Sequence, residues 1–274
     1  MLAKLLKYDI SAGARMVPIS YIAIAALFLI GLVARFLEIP QIVAAACFLL
    51  FLAGLAAVLL AFVFTVVRYH KGLFGNEGYL TQTLPVGKGK LVLSKLISAY
   101  LWTIFSTIAM AAAWAGALVI INDFDLIKEI VDFLFGSTFT PLVIFALVSS
   151  AVQLFAVIGE VYFAITLANT RPFINNNILF SVVFFFVINM AVGILEIIAM
   201  LLIPLGLKFT ETGVVWATET MLGSMMLNME ALGSSQPLLS GISIGVGSCF
   251  ADLAAGIGLL LAARWLLTHK TSVK

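Results

Sequence analysis

Three carboxyl side chains stand inside long apolar runs of the sequence: Glu160, Glu196 and Asp252. An ionised acid at the centre of a membrane helix costs roughly 2.5–3.5 kcal/mol on insertion scales, so these groups must face a bundle interior, a water-filled path or one another. The chemistry open to them is that of a pathway or a proton site, or of a subunit or helix interface. Glu160 stands about two turns from the end of its run, where snorkelling would also serve it. Asn189, near the middle of its run, is suited to hydrogen bonding between helices. Asp252 has small neighbours, with Gly241 and Gly245 forming GxxxG and Gly247, Ala251 and Ala255 continuing a small face, the pattern of close helix approach. His70 and His269 lie in basic surroundings without helical spacing to a carboxylate, and HExxH is absent, so no metal ligands and no catalytic residues are assigned. Cys47 and Cys249 sit in apolar runs and read as packing residues.

The elements that must position these groups follow from composition. Of 274 residues 63% are hydrophobic and 10% charged, with a net charge of +2, whereas soluble domains carry roughly 25% charged residues. Lipid is therefore the solvent for most of the chain. A nucleic-acid footprint would need a much larger basic excess, so nucleic acid is excluded as a partner. A spanning helix takes about 20 apolar residues, and six segments qualify: 17–37, 41–67, 96–121, 141–168, 178–205 and 239–265. The fold class is all-α integral membrane, in a single transmembrane domain over 1–274, because no strand-length alternation suggests a barrel.

Before the first span, residues 1–16 place Leu2, Leu5, Leu6, Ile10, Gly13 and Met16, with Val17, on one stripe, which predicts an amphipathic helix lying in the interface and no signal peptide. With the N-terminus inside, twelve of the fifteen Lys and Arg residues fall on the inner side, which predicts that both termini are cytoplasmic. Two outer segments, 122–140 and 206–238, exceed what a connection needs. In the first, Phe124, Ile127, Ile130, Val131 and Leu134 share a helical face. In the second, Val214, Met221, Leu222, Met225, Met229 and Leu232 recur at helical spacing, so helices are expected in both.

The inner loop 68–95, RYHKGLFGNEGYLTQTLPVGKGKLVLSK, is basic at its flanks and apolar at its centre. Asn76 can cap a short helix, Glu77 suits its first turn, and Pro85 restricts Leu84 and ends it. Tyr79, Leu80, Thr83 and Leu84 then share a face too small to be buried within the loop itself. It must find lipid, the chain's own spans or a partner.

The run LFGNEGYLTQTLPVGKGKLVLSKLISAYLW, residues 73–102, resembles the segment between spans two and three in the six-span permeases of bacterial ABC-type exporters, the group often called ABC type-2. The opening LLKYDISAGAR is similar to the interfacial helix of the same family, and the spacing of the six spans fits. Only the first third carries such motifs, and the second half matches in hydropathy alone. The resemblance implies that the short helix is a coupling helix docking on a separate cytoplasmic ATPase, with Leu73, Phe74, Gly75, Glu77, Gly78, Tyr79, Leu80, Thr83, Leu84 and Pro85 at the contact. It further implies a bacterial cell-membrane location and a second permease subunit, identical or related. The chain itself has no GxxxxGK[ST] loop, and its GKGK at 87–90 lacks the spacing and the hydroxyl, so ATP and Mg²⁺ are expected on the partner and no cofactor on this chain. The function so implied is a non-catalytic permease subunit of an ATP-driven exporter. Two other classes stay open on the residues alone: an ion-gradient-driven carrier using Glu160, Glu196 and Asp252, and a membrane-embedded enzyme or accessory protein. The substrate is not encoded in any motif.

Overall fold

A helix closes its own backbone hydrogen bonds, so apolar runs with no water to bond to settle as helices. The computed structural model describes residues 2–75, 78, 86–121, 124–136, 139–173, 176–210, 213–233 and 243–270. Its helices are α1 (Leu2–Phe36), α2 (Pro40–Phe74), α3 (Lys88–Ile121), α4 (Phe124–Phe135), α5 (Thr140–Ala168), α6 (Asn177–Leu202), α7 (Met221–Gly233) and α8 (Gly247–His269). Among the described residues six of these, all but α4 and α7, are long and apolar enough to cross a membrane. The contacts divide the chain into two compact units, Met1–Glu129 with Leu267–Lys274, and Ile130–Leu266.

In the first unit α1, α2 and α3 pack around Ile24, Leu50, Ala57, Ala113 and Ile120. Two alanines in so small a core let the helices approach closely. The α1–α2 turn is tight, with Glu38 in the left-handed region at φ 55° and Pro40 opening α2, where its missing N–H costs nothing. Polar groups join the helices within this unit: Tyr21 and Ser106 share a hydrogen bond of 2.8 Å, and Arg35 donates to the Val119 carbonyl at 2.6 Å. The Phe51 and Trp114 rings stack with centroids 5.0 Å apart.

These three helices have 35, 35 and 34 residues, or about 50 Å at 1.5 Å per residue, against a hydrocarbon core of about 30 Å. The expected break between an interfacial helix 1–16 and a span from 17 is therefore absent, and α1 runs on through Pro18. One proline removes a single backbone bond, here to Ala14, and continuous packing on neighbours outweighs it. The buried face of the segment shares Gly13 and Val17 with the expected stripe but adds Asp9 and leaves out Met16. It is Asp9, Gly13 and Val17, while Met16 is 66% exposed, because residues 2–16 pack against α3 through Asp9.

The second unit holds α5, α6, α7 and most of α8, together with a small sheet absent from the helical reading. Strands β1 (Gly206–Thr210), β2 (Gly213–Ala217) and β3 (Ser243–Gly245) pair antiparallel in the order β2-β1-β3. Residues 206–210 and 213–217 are thus paired strands where helices were expected, and among the described residues of this segment only Met221–Gly233 is helical. The tract GLKFT alternates, Leu207 being buried, and the Thr210↔Gly213 pair closes the hairpin with Gly213 at φ 138°, a region closed to β-branched residues. Lys208 and Glu219 form an ion pair of 3.0 Å beside it. Span six also moves: β3 uses residues 243–245, and the helix runs Gly247–His269 in place of 239–265. Gly245 is in a strand, so the GxxxG of Gly241 and Gly245 is not a helix-packing face. In contrast, α4 forms at the expected place as a 12-residue helix.

Candidate functional site

The intramembrane acids come together in the second unit. Backbone approaches backbone where α5 crosses α8: a Cβ on Gly159 would lie 3.2 Å from the Gly256 carbonyl oxygen, and one on Gly256 would lie 2.7 Å from the Phe155 ring and 3.2 Å from the Ala156 Cα. Glu160 follows Gly159, and Asp252 is one turn before Gly256, so this crossing carries both carboxyls to one place. Glu160 is 1% exposed and Asp252 4% exposed. Asn189 of α6 donates to Glu160 Oε2 at 3.0 Å. Glu196, two turns further along α6, lies within electrostatic reach of Asp252, and Glu160 is within reach of both other acids. Snorkelling, the other reading of Glu160, does not occur, since its carboxyl is enclosed and bonded across helices. Asn189 joins helices as its position predicts.

Replacing Gly256 by Val should drive α5 and α8 apart and separate Glu160 from Asp252. Overpacking of this kind costs about 1–3 kcal/mol, read as a lower melting temperature of the detergent-solubilised protein. Gly258→Val is the matched control, because a Cβ there meets nothing within 4 Å, and it should leave stability unchanged.

The first unit holds a second charged site that the sequence reading missed. Asp9, 7% exposed, accepts a hydrogen bond from Ser94 Oγ at 2.7 Å and pairs with Lys95 Nζ at 3.5 Å and Arg68 at 3.6 Å. One acid on α1 thus joins α2 and α3. Gly72 makes room, since a Cβ there would lie 2.6 Å from Lys95 Nζ. Asp9 is about 39 Å along α1 from Arg35 at 1.5 Å per residue, so the cluster lies beyond the hydrocarbon, among the basic ends of the three helices. Arg68 and Lys95 entered the sequence reading only as topological charges. The available signal was the spacing Asp9, Gly13, Val17, one residue per turn on one face.

Of the residues assigned to ATPase coupling, the structure places four. Leu73 and Phe74 end α2, 1% and 8% exposed, and Gly75 donates its N–H to the His70 carbonyl. Gly78 is buried and donates to the Gly75 carbonyl at 2.8 Å; a Cβ on it would lie 2.5 Å from the Leu73 carbonyl oxygen, so only glycine fits. These four form the base of the segment on the α2 end. Glu77, Tyr79, Leu80, Thr83, Leu84 and Pro85, and with them the expected coupling helix, lie outside the described residues.

Helix lengths and composition define a predominantly α-helical, multi-pass membrane protein. No family model, no curated protein and no solved structure matches the chain.

Proposed function

We propose that the chain is the membrane-spanning permease subunit of an ATP-driven ABC exporter, with both termini in the cytoplasm of a bacterial cell. In this reading a cytoplasmic ATPase docks on residues 73–86, and a second permease subunit completes the path. The observation that carries it is the tract GNEGYLTQTLPV at the junction of α2 and α3. Two features support the role. First, α2 and α3 are each far longer than a span requires, so the end of α2 and the start of α3 reach past the hydrocarbon. Second, the Asp9 cluster ties the ends of α1, α2 and α3 together within that unit, so a push on the tract would move three helices as one. In this reading ATP and Mg²⁺ belong to the partner ATPase.

The convergence of Glu160, Glu196 and Asp252 favours a second reading, an ion-gradient-driven carrier that uses these acids and needs no ATPase. The two readings separate at the tract. With Tyr79 or Thr83 replaced by Cys in the protein expressed in its own cell, a short bismaleimide should join the chain to an ATP-binding protein, identified by mass spectrometry. Cross-links to lipid-exposed neighbours or to copies of the chain alone would favour the carrier.

A further inference from the structure

A side chain in the left-handed backbone region is strained, and glycine takes that place without a steric cost. Glu38 takes it at the end of α1, with φ 55°. Its N–H donates to the Arg35 carbonyl, and the Ile39 N–H donates to the Ala34 carbonyl, each at 3.0 Å. That pair of bonds is the Schellman ending of a helix, whose left-handed position is most often glycine. The turn therefore keeps a carboxylate where its backbone favours none, and an outlier of this kind points to a use for the side chain. Glu38 is exposed, and its carboxylate has no hydrogen-bond or ion-pair partner among the described residues.

The same turn borders a cleft of about 520 Å³ whose lining includes both Glu38 and Arg35. Its other walls are apolar, with Val43, Ala44 and Cys47 of α2 and Ile120 of α3 among them. All of these residues belong to the first unit. Arg35 gives one N–H to the Val119 carbonyl at 2.6 Å, which holds it at the cleft, and a guanidinium has further N–H donors to offer. It makes no ion pair with Glu38, so opposite charges line one cleft without satisfying each other. Arg35 stands about 39 Å along α1 from Asp9, against a hydrocarbon core of about 30 Å. The charged end of the cleft is thus at the edge of the hydrocarbon remote from the Asp9 cluster, and its α2 wall runs back into the apolar zone.

We infer that this cleft binds a zwitterionic phospholipid with a primary ammonium head, the phosphatidylethanolamine class. The lipid phosphate accepts from Arg35, the ammonium donates to Glu38, and an acyl chain lies against Val43, Ala44, Cys47 and Ile120. The charge pattern selects among lipids. A wholly anionic head meets repulsion from Glu38, and a choline head has no N–H to give it. The site needs neither an ATPase nor the intramembrane acids, so it is independent of the proposed function.

The test is native mass spectrometry of the full chain in mild detergent, titrated with phosphatidylethanolamine, phosphatidylcholine or phosphatidylglycerol of identical acyl chains. The ethanolamine lipid should bind about 5- to 10-fold more tightly than either of the others, the scale of one charge-assisted hydrogen bond. Glycerophosphoethanolamine, the same head without chains, should not displace it at equal concentration. Glu38→Gly is the informative variant, because glycine suits the turn. Its melting temperature should equal or exceed that of the native chain, while the preference for the ethanolamine lipid falls below about 2-fold. Glu38→Gln, which keeps the shape and removes the charge, should lose the preference likewise. An ethanolamine lipid with a diazirine on its acyl chain should label residues 43–47 or 120–121. Equal binding of the three lipids, tighter binding of the glycerol lipid, or displacement by the chainless head would overturn the inference. So would a lower melting temperature for Glu38→Gly, a preference retained in either variant, or labelling confined to other segments.

Discussion

Asp9→Ala is expected to unfasten the basic ends of the first three helices and to destabilise that unit on the order of 3–5 kcal/mol, the usual result of removing one partner from a buried ion pair. Asp9 pairs with both Lys95 and Arg68, and it also accepts the Ser94 hydroxyl at 2.7 Å. The two cations differ in what they can do once it is lost. The Arg68 side chain is 31% exposed and can turn outward, whereas that of Lys95 is 5% exposed and would lose its Asp9 countercharge while enclosed. The measurement is thermal unfolding in mild detergent, with limited proteolysis at the α2 and α3 ends. Pairing Asp9→Leu with Lys95→Met should recover most of the loss, because apolar side chains of similar volume replace a buried ion pair with little penalty. Equal melting temperatures for Asp9→Ala and the native chain would show that the cluster is structurally idle.

How much of this was legible in the sequence depends on which rule governed each residue. The spans were legible because hydrocarbon allows no other local structure for long apolar runs, and α4 was legible from its amphipathic face. The true ends of α1, α2 and α3 were not. Residues 2–16, 68–74 and 88–95 carry the charges that a hydrophobic-thickness rule excludes, yet they continue as helix because they pack on one another around Asp9. The strands 206–210 and 213–217 were hidden by their shortness, since five-residue strands give little periodicity, and the three residues 243–245 were absorbed into span six for the same reason. Glu160, Asn189, Glu196 and Asp252 could be singled out because a polar group in lipid must find a partner, but which partner it finds depends on Gly159 and Gly256. Nothing in the sequence set those two glycines apart from the other 19 of the chain's 21.

The second large effect is expected at the tract. Leu80→Asp places a charge on the apolar face shared by Tyr79, Thr83 and Leu84, and it should weaken ATPase association about 100-fold or more, in the range of a buried interface anchor. Glu77→Lys reverses the one acid in a basic loop and should act in the same direction by repelling a basic partner surface. Both changes lie outside the spans, so expression, insertion and thermal stability should match the native chain. That separates them from Asp9→Ala, which should lower stability. If Leu80→Asp and Glu77→Lys leave transport-linked ATP hydrolysis intact, the tract is not the coupling element.

The most direct measurement is purification of the tagged chain from its own membranes in mild detergent, followed by identification and quantification of what accompanies it. An ATP-binding protein should co-purify at a fixed ratio with the native chain and with Asp252→Asn, and it should be lost from Leu80→Asp. Intact, monodisperse protein that carries no ATP-binding partner, or that keeps one equally well after Leu80→Asp, would contradict the permease reading.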